Sequence, residues 1–267
     1  MTHRTWKHWA RRLLPPIVVD WVRPPTAPPS RVTWRGVYPT RRDVPTHRDA
    51  YDAELIDEMV KYTHAAYQGR ADQIPLWHET FVVAAALIAS ARSALHIVDY
   101  GGGVGSAFAQ LLPALPGDVQ VRYLVVDMPD VCDAGRQLFN SDDRIRFSTE
   151  LPQGGQPPDL VYVNAVLQYL DDYGDRLGDL AALKAPWILF SRLSAWDGPR
   201  FATQQVNLPG RQFASWFVNV GEVSEALASH GYRPACDCVS EKRHPADLPE
   251  THRVDRLRTM LFVRNPG

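Results

Sequence analysis

From about residue 94 onward the chain alternates short apolar runs with stretches whose apolar positions recur every three or four residues. The runs Leu95–Asp99, Val121–Val126, Arg144–Phe147, Leu160–Val163 and Trp187–Phe190 predict five strands. Helical periodicity falls between or beside them, at about 105–113, 129–139 and 174–184. A further helix at about 220–230 precedes strands near 232–238 and 258–264. This alternation of strand and helix implies a mostly parallel sheet covered on both faces. The expected architecture is α/β: a Rossmann-like, seven-stranded, mostly parallel sheet with a helical cap before it.

Upstream the pattern is first broken and then helical. Eight of the 22 prolines lie before residue 46, a density that prevents long helices and favours extended backbone. A short helix at about 4–14 opens that arm, with Trp6, Trp9, Leu13 and Leu14 on one face and basic residues opposite. Tyr51–Tyr67 then carries Leu55, Ile56, Met59, Val60 and Tyr67 at near-helical spacing. Trp77–Ala91 is nearly apolar all round, which predicts a buried helix. The expected organisation is an arm (1–48), a helical cap (49–93) and an α/β domain (94–267). No internal repeat interrupts it.

Composition adds little until it is divided. A chain of 267 residues with 45% hydrophobic and 22% charged residues is ordinary for a globular protein and long enough for a sizeable core. Its net charge of -1 argues against a dedicated nucleic-acid binder, because neutralising phosphates needs a basic excess. Residues 1–48, however, hold ten Lys/Arg against Asp20 and Asp43, and the remainder holds 19 basic and 28 acidic residues. A basic arm therefore precedes an acidic body. Two readings of the arm stand side by side. One is peripheral contact with the inner membrane surface; the other is packing on its own domain or on a second subunit, as in a homodimer.

Cys132, Cys236 and Cys238 are too few for a disulfide framework, and the last two form C-x-C rather than C-x-x-C, so they read as reduced cysteines of a cytoplasmic protein. Phe81–Ala89 is the longest apolar run, far short of the roughly 20 residues that span a bilayer. The run Leu13–Val19 contains two prolines and ends at Asp20 without a small-residue cleavage site, unlike a signal peptide.

The strongest local signal is Asp99-Tyr100-Gly101-Gly102-Gly103-Val104-Gly105-Ser106, where the first predicted strand meets a helix. Glycines permit a tight turn and let backbone approach a ligand without Cβ clashes. Parallel sheets open a ligand crevice at this end of their strands. The dinucleotide fingerprint G-x-G-x-x-G/A fails, because Ser106 occupies its third glycine or alanine position. The next strand ends in Val126-Asp127-Met128-Pro129. A carboxylate at Asp127 can accept both hydroxyls of a ribose, or cap the helix that begins at Pro129. Past the fourth strand, Asn164 and Gln168 are the candidates expected to face the same crevice.

The acidic-x-G-x-G-x-G form resembles motif I of class I S-adenosylmethionine-dependent methyltransferases, and Asp127 and Asn164 follow in that superfamily's order. Val126–Val131 also looks like the Asp-Leu-Pro segment of small-molecule O-methyltransferases, although Gln168 stands where those enzymes place a catalytic His. Most of the chain is similar to a family of bacterial methyltransferases often associated with surface-polysaccharide biosynthesis. The matching segments include Leu13–Pro16, Trp34–Tyr38, Asp99–Gly105, Leu167–Leu170, Phe190-Ser191-Arg192 and Gln204-Gln205-Val206. The usual segment before Arg192 ends in Asp, and Ser191 replaces it here. The resemblance implies S-adenosylmethionine as cofactor and a small-molecule or glycan hydroxyl as acceptor.

Methyl transfer from a sulfonium needs alignment and exclusion of water, and an oxygen acceptor must also lose its proton. No tight His/Asp/Glu cluster with metal-ligand spacing is present in the sequence. Asp99, Tyr100, Gly101, Gly102, Gly103, Gly105, Asp127, Met128 and Asn164 are the expected cofactor residues. His78 is a candidate base or substrate ligand. Gln168 can hold a hydroxyl, and Arg192 can clamp an anionic group or form a structural ion pair. Tyr38, Tyr169, Gln204 and Gln205 are the expected substrate residues. His96 reads as a satisfied core residue, His230 as a helix end, and His244 and His252 as surface. Two rival functions remain: a nicotinamide-dependent oxidoreductase and a non-catalytic protein that kept the fold.

Overall fold

The computed structural model describes residues 33–46, 52–69, 78–206, 211–242 and 247–265. The helix expected at 4–14, most of the basic arm, Trp77 and His244 lie outside them. Seven strands form the central sheet: β2 (Ala94–Tyr100), β3 (Gln120–Val126), β4 (Ile145–Ser148), β5 (Leu160–Asn164), β6 (Trp187–Leu193), β10 (Tyr232–Lys242) and β11 (Arg256–Arg264). Their order is β10-β11-β6-β5-β2-β3-β4. The run from β6 to β4 is parallel, and β11 is antiparallel to both of its neighbours. Strand order reverses between β2 and β5, and a crevice opens at such a point outside the carboxyl ends of the strands.

Helices cover both faces. On one, α2 (Glu79–Ser90) and α3 (Ser106–Leu111) bring Phe81, Ala85, Phe108 and Leu111 against Leu95, Ile97, Tyr123 and Tyr162. On the other, α5 (Tyr173–Ala182) and α6 (Val220–Ala228) bring Leu177, Leu180, Val223 and Leu227 against Val98, Val161, Val163 and Phe190. Each large side chain buried there contributes about 1.5–3 kcal/mol. The even and odd residues of β5 thus serve different cores, which is why it reads as a continuous apolar run.

Helix ends follow local chemistry. In α1 (Ala53–Tyr67) the Asp52 carboxylate accepts from the Leu55 N–H, and α4 (Pro129–Leu138) starts with proline at its first position. The expectation for Trp77–Ala91 needs correction. Within α2 only Phe81, Ala85 and Ala89 are buried, four residues apart on the sheet side, whereas Val83 and Leu87 are 59% and 67% exposed. The helix is an outer layer, with one face on the sheet, and an apolar composition alone does not distinguish this from full burial.

A second sheet is absent from the sequence expectation. It comprises β1 (Trp34–Tyr38), β8 (Phe201–Gln205), β9 (Phe213–Asn219) and β7 (Ala195–Trp196), in the order β1-β8-β9-β7. β1 and β9 are antiparallel to β8, and β7 is parallel to β9. Trp34 packs edge-on against Phe217, with ring centroids 4.7 Å apart, in a third core with Phe201, Val254 and Leu257. Residues 34–38, assigned by composition to the arm, are therefore paired strand in the folded body. Among the described residues no helix is long and apolar enough to cross a membrane.

Candidate active site

The turn after β2 forms the floor of the crevice. Gly101 has φ 71°, and a Cβ added there would lie 2.2 Å from Val166 Cγ2, so only glycine fits. At Gly102 an added Cβ would lie 2.4 Å from Asp99 Oδ2, which places the Asp99 carboxyl directly against the turn. Met59 of α1 crosses above, its Cε 2.6 Å from where a Gly103 Cβ would be.

Two carboxyls organise this floor. Asp99 is fully buried; its Oδ2 accepts from Tyr123 OH at 2.6 Å and its Oδ1 has no partner among the described residues. Burial pushes its pKa up to about 7; the Tyr123 hydroxyl opposes that rise and the Asp127 charge adds to it. Asp127 accepts from Gly103 N through Oδ2 and from Met128 N through Oδ1, both at 2.8 Å. Burial raises its pKa, and the two backbone N–H groups pull it down.

Above this floor lies a cavity of about 690 Å³. Tyr100, Gly101, Asp127 and Met128 line its base, and Val166, Tyr169 and Leu170 one side. Arg41, Gln212 and Phe213 close it from above. Arg41 sits in a 3-10 turn (Arg41–Asp43), donates from Nε to Ala214 O at 3.1 Å and pairs with Asp171. Arg42 also lines the cavity and is exposed.

The predicted residues divide accordingly. Tyr100, Gly101, Asp127, Met128 and Tyr169 meet at the cavity, with Asp99, Gly102, Gly103 and Gly105 in or beneath the turn. Tyr169 OH donates to Gln205 Oε1 at 2.7 Å, joining the floor to the small sheet. Gln204 is buried and spends its amide on Pro45 O and Gln212 Oε1. Tyr38 packs over Gly36 and does not line the cavity. Gln168 is buried outside the lining, its Nε2 3.5 Å from Arg192 O and its Oε1 unpartnered among the described residues. Arg192 holds a left-handed φ of 53°, and its charge is felt at Tyr62, His78 and Tyr162.

His78, expected as a base or substrate ligand, occupies a different place. It is buried, and both ring nitrogens are engaged inside the protein: Nδ1 with Tyr162 OH at 2.9 Å and Nε2 with Ser106 Oγ at 3.1 Å. Burial and then the Arg192 charge lower its pKa to about 3, so it stays neutral and is a poor proton acceptor near pH 7. It belongs to a chain that continues from Tyr162 OH to Ser191 Oγ at 2.9 Å and from Ser191 Oγ to Asn164 Oδ1 at 2.8 Å. With Ser191 donating to Asn164, every hydroxyl along the chain can both donate and accept, and such runs polarise one another. Sequence reasoning missed Tyr162, which lies between Val161 and Val163 in an apolar strand, and it missed Arg41, Gln212 and Phe213. His96, expected in the core, is half-buried at the other end of β2.

No protein-family model and no curated protein sequence matches the chain. Solved structures do match. An S-adenosylmethionine-dependent methyltransferase from Clostridium acetobutylicum ATCC 824 aligns with a TM-score of 0.51 at 10% identity, over 77% of this chain and 98% of that one. The fold is Rossmann-like, as in that protein. The protein named as the methyltransferase in complex with the Haloferax volcanii Trm112 activator aligns with a TM-score of 0.50 at 15% identity, over 80% and 98% of the two chains. Magnesium protoporphyrin IX methyltransferase from Synechocystis PCC 6803, with bound SAH, aligns with a TM-score of 0.48 at 16% identity, over 82% and 90%. At these identities the likeness is one of fold.

Proposed function

We propose that this methyltransferase-fold protein binds S-adenosylmethionine in the 690 Å³ cavity and methylates an oxygen of a small molecule or of a sugar in a surface glycan. The observation that carries the reading is Asp127. Its carboxylate lines the cavity at the end of β3 and is fixed there by the N–H groups of Gly103 and Met128. A carboxylate has about four acceptor positions, so two remain for ribose hydroxyls. The glycine turn lets backbone approach the same ligand, and the unpartnered, buried Asp99 Oδ1 beneath it suits a nearby donor or cation. The cofactor supplies an activated methyl group on a sulfonium.

The chain's own residues would position the acceptor and exclude water. Arg41, Gln212 and Phe213 cover the cavity. Asn164, expected at the cofactor, ends β5 outside the cavity lining, and its Oδ1 accepts from Ser191 Oγ, so it would act by holding the strand end beside the crevice. The preference for an oxygen acceptor rests on the resemblance of Val126–Val131 to the corresponding segment of small-molecule O-methyltransferases. Gln168 and Arg192, which meet outside the cavity lining, would act as positioning residues. The surface-glycan acceptor rests on the resemblance of segments such as Leu167–Leu170.

Calorimetry with S-adenosylhomocysteine tests the reading. Binding is expected, and Asp127→Ala should weaken it by about 1.5–3 kcal/mol, roughly ten- to a hundredfold, by loss of charged hydrogen bonds. Unchanged affinity removes Asp127 from the site. A nicotinamide cofactor that raises the melting temperature, where S-adenosylmethionine does not, would favour the oxidoreductase instead.

A further inference from the structure

A second cavity, of about 720 Å³, opens at the opposite pole of the central sheet, where β2, β3, β5 and β6 begin. Its lining includes Arg92, His96, Arg122, Asp159 and Lys184. His96 and Arg122 are register partners on adjacent parallel strands. Asp159, the only carboxylate in the lining, is already engaged: Oδ2 accepts from His96 N at 2.8 Å, and Oδ1 is ion-paired with Arg92. Arg122 and Lys184 have no ion-pair partner among the described residues. Lys184 takes a left-handed φ of 58° just beyond α5, a conformation L residues disfavour, and the chain turns there at the cavity. Pro157, Pro158 and Pro186 make a stiff apolar rim. This local cationic excess sits in a body that holds 28 acidic and 19 basic residues.

Burial and the Arg122 charge lower the His96 pKa, while the Asp159 charge and a hydrogen bond to the Pro157 carbonyl act against them. The charged groups around it come from every element that meets there: Arg122 on β3, Asp159 before β5, Arg92 after α2 and Lys184 after α5.

We propose that this cavity binds a small soluble phosphate compound of the pyrophosphate type, held by Arg122 and Lys184 with His96 as a further donor. The Arg122 fork can take two phosphate oxygens and Lys184 acts as a point charge. A bound anion stabilises the imidazolium, so binding raises the His96 pKa and tightens as pH falls. The site is separate from the cofactor crevice and does not depend on the methyltransferase reading.

Pyrophosphate titrated into the full-length protein, followed through the His96 ring resonances, tests the proposal. A saturable shift below roughly 10 mM, with a raised His96 pKa, is expected. The R122S/K184S double variant should bind about tenfold more weakly or worse, and K184S alone about threefold more weakly. S-adenosylhomocysteine affinity should stay the same in both variants, so loss of one site is read separately from loss of the other. No saturable shift overturns the proposal. So does equal binding by the variants, or the same shift with chloride at matched ionic strength, which is screening alone.

Discussion

The crevice floor is made of near neighbours. Asp99 lies against Gly102 three residues on, and Asp127 accepts from Gly103, 24 residues back in the turn after the adjoining strand. Its roof is made of distant ones: Arg41 holds Ala214 across 173 residues, and Gln204 holds Pro45 across 159. The floor is backbone with short, fixed side chains, which suits the common part of a ligand. The roof is longer side chains, Arg41 from a 3-10 turn and Gln212 and Phe213 at the start of β9, which suits the part that varies. The contrast teaches that the same cavity can be conservative below and specific above.

The largest expected effect tests the floor. Between an ordinary carboxyl pKa of 3.8 and about 7, the folded chain binds more protons at Asp99 than the unfolded chain does. The contribution of this group is therefore fully present below the lower value and is lost as pH rises through the upper one. Asp99→Asn keeps an acceptor for Tyr123 without the charge. Its stability relative to wild type should rise from about pH 4 to about pH 8, by something on the order of 3 kcal/mol in urea denaturation. A pH-independent difference would show that the carboxyl does not titrate in that window.

Next in size, Gly101→Ala should cost about 2–3 kcal/mol, because it combines a left-handed backbone with a contact on Val166. A melting temperature equal to wild type would contradict the tight turn. Smaller still is the link between floor and roof. Tyr169→Phe removes the hydroxyl that donates to Gln205 and should cost about 1 kcal/mol of stability while changing S-adenosylhomocysteine affinity little. A large loss of affinity would mean that the roof, too, holds the cofactor. Least of all, deleting residues 1–30 should leave cofactor affinity unchanged and reduce association with anionic vesicles, measured by co-sedimentation. Unaltered association would leave the arm as a packing or dimer contact.

The same division governs what the sequence revealed. The central sheet was legible because each strand is a short apolar run bounded by polar turns, as at Leu160–Asn164. The glycine turn and Asp127 were legible because their geometry depends on the few residues around them. β8 and β9 were not, because Phe201–Gln205 and Phe213–Asn219 mix Thr, Gln, Ser and Asn with apolar residues and acquire meaning only when β8 pairs with β1 and with β9. His78 was misread for a related reason. Its neighbours in the chain suggest a crevice, whereas its partners, Tyr162 and Ser106, are 84 and 28 residues away and keep it buried. Tyr162 itself was hidden by an apolar strand whose two faces meet different cores.

The pairing of β1 with β8 also sets an order of events during synthesis. Thr203 Oγ1 donates to Arg35 O across 168 residues. At roughly 5–20 residues per second, the first strand emerges about 10–30 seconds before its partner. In that interval the strands and helices of the parallel sheet can assemble from nearer neighbours, while Trp34 and its strand edge wait uncovered. The roof of the crevice is therefore completed only after β8 and β9 have emerged, when the earliest described segment returns to meet them.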